Sequence, residues 1–199
     1  MNSQNYDLIL ASQSPRRRQL LNENGYVFEV RPPADSVEKG ICSKCSPEDL
    51  VIESAFVKGR AVAQTVESGV VLSADTVAEC RAEILGKPVD QDHAEKMLRL
   101  VSGNVHRVLT GVCLWHRPSD KYIIRVEQTV LKMDELSEDK LETILESDTW
   151  VGKAGAFGYQ DGLDWVHIQA GLESNVVGLP VERLAGWVDE LMEEVAKAQ

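Results

Sequence analysis

The first thirty residues alternate between apolar runs and polar breaks in a pattern that predicts a strand, a helix and a second strand. Leu8 to Ala11 form a short apolar run typical of a buried strand. Ser14 is a natural helix N-cap and Pro15 suits the first helical position, so a helix should begin there and end near Gly25. Tyr26 to Val30 then predicts the second strand.

A long helix and two long strands are predicted in the middle of the chain. Ser46-Pro47-Glu48 marks the start of a helix that should run to about Glu67. Residues 70–73 are typical of a core strand that ends in Ala74-Asp75-Thr76, so Asp75 is expected at a strand tip. Val105–His116 and Tyr122–Met133 predict a hairpin of long strands.

The other segments complete an alternation of helices and strands. They are a ribbon over 77–85 with a turn near Arg81, a helix over 90–101, a helix capped by Ser137, a glycine-rich stretch over 152–158, a strand over 165–169 and a helix over 180–197. Because the sequence shows neither an internal repeat nor a low-complexity linker, we interpret residues 1–199 as a single α/β domain.

Composition narrows the possible functions. The 199 residues are 43% hydrophobic and 27% charged, close to the average of folded proteins. The net charge of −11 disfavours non-specific duplex binding, so an anionic ligand would need a local basic pocket. The sequence contains neither an apolar run of ~18 residues nor a signal-peptide pattern, and we expect a cytoplasmic protein without a membrane span. The cysteines do not suggest a secreted disulfide framework.

The turn from Ser12 to Arg17 is the first candidate for function. It joins the predicted first strand to the first helix, where free N–H groups and the positive end of the helix dipole attract anions. Ser12 and Ser14 can donate hydroxyl hydrogens, and Arg16 and Arg17 can bind phosphate oxygens. The turn therefore predicts an anion site, although a capped surface helix with solvated arginines would give the same pattern.

One acid and several lysines are the other candidates. Asp75 follows an apolar strand and could hold a divalent cation or deprotonate water, or it could simply cap a turn. Lys58, Lys87 and Lys153 have small neighbours and could neutralise a polyphosphate, or they could be solvated surface lysines. Together with the arginines they would form a cationic pocket around one acid, as hydrolysis of a metal-bound polyphosphate requires.

Six short blocks occur in order along nearly the whole chain. They are LASQSPRR from Leu10, SADTV from Ser73, ILGKP from Ile84, SGNVH from Ser102 with TGV from Thr110, KAGAFGYQ from Lys153 and NVVGLP from Asn175. Together they closely resemble the signature blocks of the Maf family of nucleoside triphosphate pyrophosphatases. Six blocks in order are far more specific than any single motif.

This resemblance implies both a fold and a reaction. The fold would be two-lobed and similar to inosine triphosphate pyrophosphatases, with a long mixed β-sheet flanked by helices and a nucleotide cleft. The reaction would convert a nucleoside triphosphate and water into the monophosphate and pyrophosphate, with Mg²⁺ or Mn²⁺ required. The resemblance makes Asp75 the proton acceptor and a metal ligand. It assigns phosphate or substrate binding to Ser12, Ser14, Arg16, Arg17, Lys58, Lys87 and Lys153.

Three positions indicate the subgroup. Arg16, Thr76 and Gln160 match the residues of members resembling dTTP/UTP pyrophosphatases, whereas the 7-methyl-GTP branch is similar to Trp, Gln and Glu there. A neutral amide at Gln160 can both donate and accept hydrogen bonds towards a pyrimidine. A second metal-binding acid is expected at Glu38, with Asp35 as the alternative.

Two other functions stay open at this point. A 7-methyl-GTP pyrophosphatase would keep the chemistry and change the base, and a nucleotide-binding regulator of cell division would keep the phosphate site without turnover. The resemblance also suggests a homodimer, and the acidic charge argues against a nucleic-acid partner.

Overall fold

The computed structural model describes residues 6–34, 45–159 and 164–198. The helices are α1 (Pro15–Glu23), α2 (Pro47–Ala63), α3 (Gln91–Val101), α4 (Glu138–Glu146), α5 (Glu173–Val177) and α6 (Val181–Ala196). The strands are β1 (Leu8–Leu10), β2 (Phe28–Val30), β3 (Gly69–Cys80), β4 (Glu83–Leu85), β5 (Val105–Arg117), β6 (Tyr122–Met133) and β7 (Val166–Ala170). The described helices include none that is long and apolar enough to cross a membrane.

The strands form one mixed sheet, which confirms the predicted α/β class. Its order is β2-β1-β3-β5-β6-β7, and β4 pairs separately with β3. Strand β1 runs parallel to β2 and β3, whereas the other pairings are antiparallel. The long strands β3, β5 and β6 form the centre of the sheet, and the helices pack on its two faces.

The core is divided between the two faces. On one face, α2 covers side chains such as Val71 and Val77 of β3. On the other face lie two separate apolar clusters, one at each end of the long strands. Leu72 lies in the cluster packed by α6, and Ala78 lies in the cluster packed by α3 and α4. The two clusters therefore lie on either side of the middle of β3.

Two glycines allow α2 to approach the sheet closely. A Cβ atom on Gly111 of β5 would lie 2.4 Å from the carbonyl oxygen of Val51, and a Cβ atom on Gly59 would lie 2.6 Å from Oγ of Ser73. Neither position has room for a side chain, because real Cβ contacts are longer than 3.0 Å. The hydroxyl of Ser73 donates to the carbonyl of Ala55, which fixes α2 against β3.

Most predicted elements are confirmed, and β6 has the predicted bounds. The prediction that Asp75 lies at a strand tip is wrong, because β3 continues to Cys80 and pairs with β5 from Gly69 to Glu79. Helix α2 ends at Ala63 and not near Glu67. The short helix α5 was not predicted, since it has no side-chain N-cap.

Cys45 is disulfide-bonded, whereas Cys80 and Cys113 are buried free thiols.

Candidate functional site

A cleft of about 420 Å³ lies over the middle of β3. It brings together every predicted site residue that the structure describes: Ser12, Ser14, Arg16, Arg17, Lys58, Asp75, Thr76, Lys87 and Lys153. Gln160, Glu38 and Asp35 lie outside the described residues. The cleft has two walls, which we call the Ser12–Arg17 wall and the Gly152–Tyr159 wall after the segments that form them.

The Ser12–Arg17 wall is the turn that leads from β1 into α1. Ser14 caps the helix, since its hydroxyl accepts a hydrogen bond from the backbone N–H of Arg17 at 3.4 Å. The hydroxyl of Ser12 accepts from the backbone N–H of Ser14 at 3.2 Å. The capped end of α1 therefore lines the cleft, and its dipole adds positive potential there.

The two arginines of this wall make different contacts. Arg16 reaches the opposite wall, where its Nη2 donates to the carbonyl oxygen of Gly152 at 3.0 Å. Arg17 stays on its own side, and its three guanidinium nitrogens donate to Gly178, Ser12 and Thr76. Both side chains line the cleft, but Arg17 is also part of the framework that holds it.

Asp75 lies on the face of the sheet covered by α2, between the two walls. Nζ of Lys58 on α2 is 2.7 Å from Oδ1 of Asp75. The two side chains are partly buried, with 13% of Lys58 and 22% of Asp75 exposed, so solvent screens the pair less than a surface ion pair. The close packing of α2 at Gly59 brings Lys58 to this position.

The Gly152–Tyr159 wall is held by packing. Gly155 has a φ of 72°, a conformation that favours glycine, and its N–H donates to the carbonyl of Gly86 at 3.1 Å. The ring of Phe157 packs edge-to-face against His106, with ring centroids 5.3 Å apart. These contacts place Lys153 and Tyr159 along the cleft.

His106 is a buried histidine behind this wall, and only 2% of it is exposed. Neither ring nitrogen finds a hydrogen-bond partner in the part of the chain that the structure describes. Burial lowers the pKa of His106 to about 4, and the backbone of Asn104 opposes the shift. The imidazole is therefore neutral at pH 7, and its ring packs edge-to-face against Phe157.

Thr110, Asn175 and His106 have no role predicted from the sequence, although each belongs to one of the six blocks shared with the Maf family. Thr110 and Asn175 are completely buried polar residues. The pairing of Thr76 with Thr110 across β3 and β5 brings Thr110 into contact with Thr76, which lines the cleft. A sequence alone does not contain that register, so only their block membership could have pointed to these residues.

The donor set suits a divalent cation that arrives with a phosphate ligand. Across residues 6–34, 45–159 and 164–198, no three His, Cys, Asp or Glu side chains cluster as a metal site. Asp75 supplies a carboxylate among five cationic side chains of the cleft. Mg²⁺ is commonly bound by one or two protein carboxylates and by phosphate oxygens of the substrate, so Asp75 fits this mode of binding.

Comparison with known proteins finds similar sequences and similar solved structures. The dTTP/UTP pyrophosphatase of Rhodopirellula baltica is 51% identical over 96% of this chain and 84% of its own length. The dTTP/UTP pyrophosphatase of Ruminiclostridium cellulolyticum is 36% identical over 96% and 99%. Among solved structures, the Ham1 protein of Staphylococcus aureus matches 64% of this chain and 71% of its own, with 13% identity and a TM-score of 0.44.

A family model also matches the chain. The model described as Maf-like protein matches residues 7–191 and therefore includes both walls of the cleft. The resemblance inferred from six short blocks is thus confirmed over nearly the whole sequence. The chain belongs to the Maf family.

Proposed function

We propose that this chain is a nucleoside triphosphate pyrophosphatase that hydrolyses dTTP and UTP to the monophosphate and pyrophosphate. The cleft carries the proposal, because five cationic side chains line it together with Asp75 in a chain with a net charge of −11. Such a local concentration of positive charge attracts a polyphosphate. The names of two relatives that match 96% of this chain describe the same activity.

In the proposed reaction, water attacks the α-phosphorus and the bond to the bridging oxygen of the β-phosphate breaks, so that pyrophosphate leaves. Oδ1 of Asp75 accepts a hydrogen bond from Lys58, which leaves Oδ2 as the atom that takes the proton from water. The cations that stabilise negative charge on the phosphates, as preorganised cations do in phosphoryl transfer, are Arg16, Arg17, Lys58 and Lys87. Ser14 and Lys153 line the same cleft and complete the phosphate contacts.

We expect the reaction to require Mg²⁺ or Mn²⁺, which would withdraw charge from the phosphate oxygens when bound. Asp75 would hold the cation together with a second acid. Glu38 is our choice for that acid and Asp35 the alternative.

The choice of dTTP and UTP depends on the subgroup residues. Arg16 and Thr76 line the cleft, and Gln160 follows directly after Tyr159, which lines it as well. Val176 and Val177 give the cleft an apolar part, which suits a base better than a phosphate. We therefore expect the base to lie near these valines and Gln160.

Pyrophosphate release from a panel of triphosphates tests the function. The panel is dTTP, UTP, CTP, GTP, ATP and 7-methyl-GTP, each with Mg²⁺, with Mn²⁺ and with EDTA. Metal-dependent turnover of dTTP and UTP is the expected result. Turnover of 7-methyl-GTP alone would contradict the substrate assignment, and binding without turnover of any nucleotide would favour the regulatory alternative.

The remaining expectations concern the protein in the cell. We expect a cytoplasmic protein that does not bind nucleic acids, because the chain is acidic. The family resemblance also leads us to expect a homodimer. Sedimentation analysis checks the dimer. A gel-shift titration with single-stranded DNA at low salt should show no complex.

A further inference from the structure

Thr76 is the neighbour of Asp75 on β3, but its side chain lies on the opposite face of the sheet, in a chain of hydrogen bonds. Nη2 of Arg17 donates to Oγ1 of Thr76 at 3.2 Å. The hydroxyl oxygens of Thr76 and Thr110 are 3.0 Å apart, and the hydroxyl of Thr110 donates to the carbonyl oxygen of Asn175 at 3.1 Å. This series of hydrogen bonds links the Ser12–Arg17 wall to α5 through two hydroxyl groups.

The direction of these bonds follows from the number of hydrogens. A threonine hydroxyl has one hydrogen, and Thr110 gives its hydrogen to Asn175. Thr110 therefore accepts in its contact with Thr76, so Thr76 must donate there. The hydroxyl hydrogen of Thr76 is thereby used within the protein, and a lone pair of the same oxygen is used by Arg17.

The series of hydrogen bonds closes into a ring. Nε of Arg17 donates to the carbonyl oxygen of Gly178 at 2.8 Å, and the N–H of Gly178 donates to the same Asn175 carbonyl at 3.1 Å. Nη1 of Arg17 adds a bond to Ser12 at 3.1 Å. Since all three nitrogens of a planar group are bound, the orientation of the Arg17 guanidinium in the cleft is fixed.

The far side of the ring is anchored in the core. The side-chain amide of Asn175 donates to the carbonyl of Val108 at 3.1 Å and to the hydroxyl of Thr129 at 3.0 Å. Asn175, Thr110 and Thr129 are each 0% exposed. Hydrogen bonds in so dry a place are strong and hold one geometry. Arg17 is therefore positioned by the sheet as well as by its own helix.

We propose that Thr76 and Thr110 are positioning residues that hold Arg17 against the phosphates of the substrate, and that Thr76 does not contact the base. On this proposal Thr76 marks the dTTP/UTP subgroup because it fits this arrangement of Arg17. The proposal rests on the proposed function for the identity of the nucleotide. Pyrophosphate, which has no base, tests the phosphate part separately.

The experiment compares two substitutions at one position. Thr76→Val keeps the shape and removes the hydroxyl, whereas Thr76→Ser keeps the hydroxyl. We expect Thr76→Val to weaken calorimetric binding of pyrophosphate, and to lower kcat/KM, by about ten- to hundredfold, the effect of losing a hydrogen bond to a charged group. The factor should be equal for dTTP, UTP, CTP and GTP. Thr76→Ser should stay within about threefold of the original chain.

Controls separate the possible outcomes. Thr143→Val on the exposed side of α4 removes a hydroxyl far from the cleft and should change nothing. Unchanged pyrophosphate binding with an altered ratio of dTTP to GTP turnover would overturn the proposal, because it would mean a base contact. Equal losses in Thr76→Ser and Thr76→Val would also overturn it.

A second pair of variants and the unmodified chain complete the test. Thr110→Ser and Thr110→Val should repeat the same contrast, which keeps the proposal testable if Thr76→Val fails to fold. If the original chain hydrolyses none of the triphosphates, the proposed function is wrong. The positioning role would still be supported if binding of pyrophosphate depends on the Thr76 hydroxyl.

Discussion

The two walls of the cleft are held in place by different kinds of contact. On the Ser12–Arg17 wall, Arg17 makes directional hydrogen bonds to a hydroxyl of its own turn, to β3 and to the end of α5. On the Gly152–Tyr159 wall, Phe157 packs edge-to-face on the ring of His106, and Gly155 makes a backbone bond to Gly86. One wall is fixed mainly by bond geometry and the other mainly by shape.

This difference separates two tasks of a nucleotide site. Directional hydrogen bonds fix the position of a charged group, as stabilisation of charge on a phosphate requires. Apolar packing is non-directional, so a wall held in this way is determined by volume and backbone conformation. We therefore expect substitutions on the first wall to act on phosphate binding and catalysis. Substitutions behind the second wall should act on stability and on affinity for the whole nucleotide.

Asp75 lies between the walls, so the loss of activity in Asp75→Asn is the reference for substitutions on either wall. We expect kcat to fall by about 10² or more, the usual effect of losing a general base, while pyrophosphate binding is retained. Asp92→Asn on the exposed surface of α3 is the matched control. Steady-state kinetics with dTTP and a thermal melt measure the effect. Most of the activity surviving in a folded Asp75→Asn variant would show that the proton acceptor is another group.

Arg17→Lys should give the next largest effect. A lysine keeps the charge but cannot bind Ser12, Thr76 and Gly178 in one plane, so we expect a loss of about ten- to hundredfold in kcat/KM. Combined with Thr76→Val, the two losses should not add, because both changes break the same arrangement. Strictly additive losses in this double-mutant cycle would argue against a shared role.

Gly155→Ala tests the packed wall. Its φ of 72° is strained for alanine, and the new Cβ would lie 3.1 Å from Phe157 and 3.2 Å from the Cβ of Ala78. We expect about 1–3 kcal/mol of lost stability and a raised KM for dTTP, with pyrophosphate binding nearly unchanged. Gly152→Ala has a similar φ of 69° with nothing within 4 Å of the new Cβ, so the difference between the variants isolates the contact.

His106→Phe gives the smallest expected effect, and it depends on pH. Because burial lowers the pKa of His106 from 6.5 to about 4, protonation favours the unfolded chain. The free energy of unfolding therefore has its full value above pH 6.5 and decreases as the pH falls from 6.5 towards 4. Between pH 7 and 6 the loss should stay below about 1 kcal/mol. Chemical denaturation at several pH values should show this acid loss in the original chain and a smaller loss in His106→Phe.

Local features of the fold could be predicted from the sequence, whereas long-range ones could not. The start of α1 at Pro15 and the bounds of β6 follow from capping residues and alternation, which are properties of neighbouring residues. The continuation of β3 past Asp75 depends on pairing with β5, which no local pattern contains.

The candidate site shows the same division. Its charged residues were recognised from their types and neighbours, and the structure places those it describes in one cleft. The bonds from Arg17 to Thr76 and from Thr76 to Thr110 were not foreseen. They depend on the register that sets Thr76 opposite Thr110, a residue 34 positions further along the chain, and local signals do not span that distance.

The register of β3 against β5 has a consequence for the divergence of related proteins. It places Gly111 opposite Asp75 and Thr110 opposite Thr76, so one dipeptide of β5 serves both faces of the site. A mutation at Thr76 leaves Thr110 without its donor, and a larger residue at Gly111 pushes α2 and Lys58 away from Asp75. Lineages that change their substrate should therefore acquire substitutions in the two strands jointly, and intermediates with one change alone should be poor enzymes.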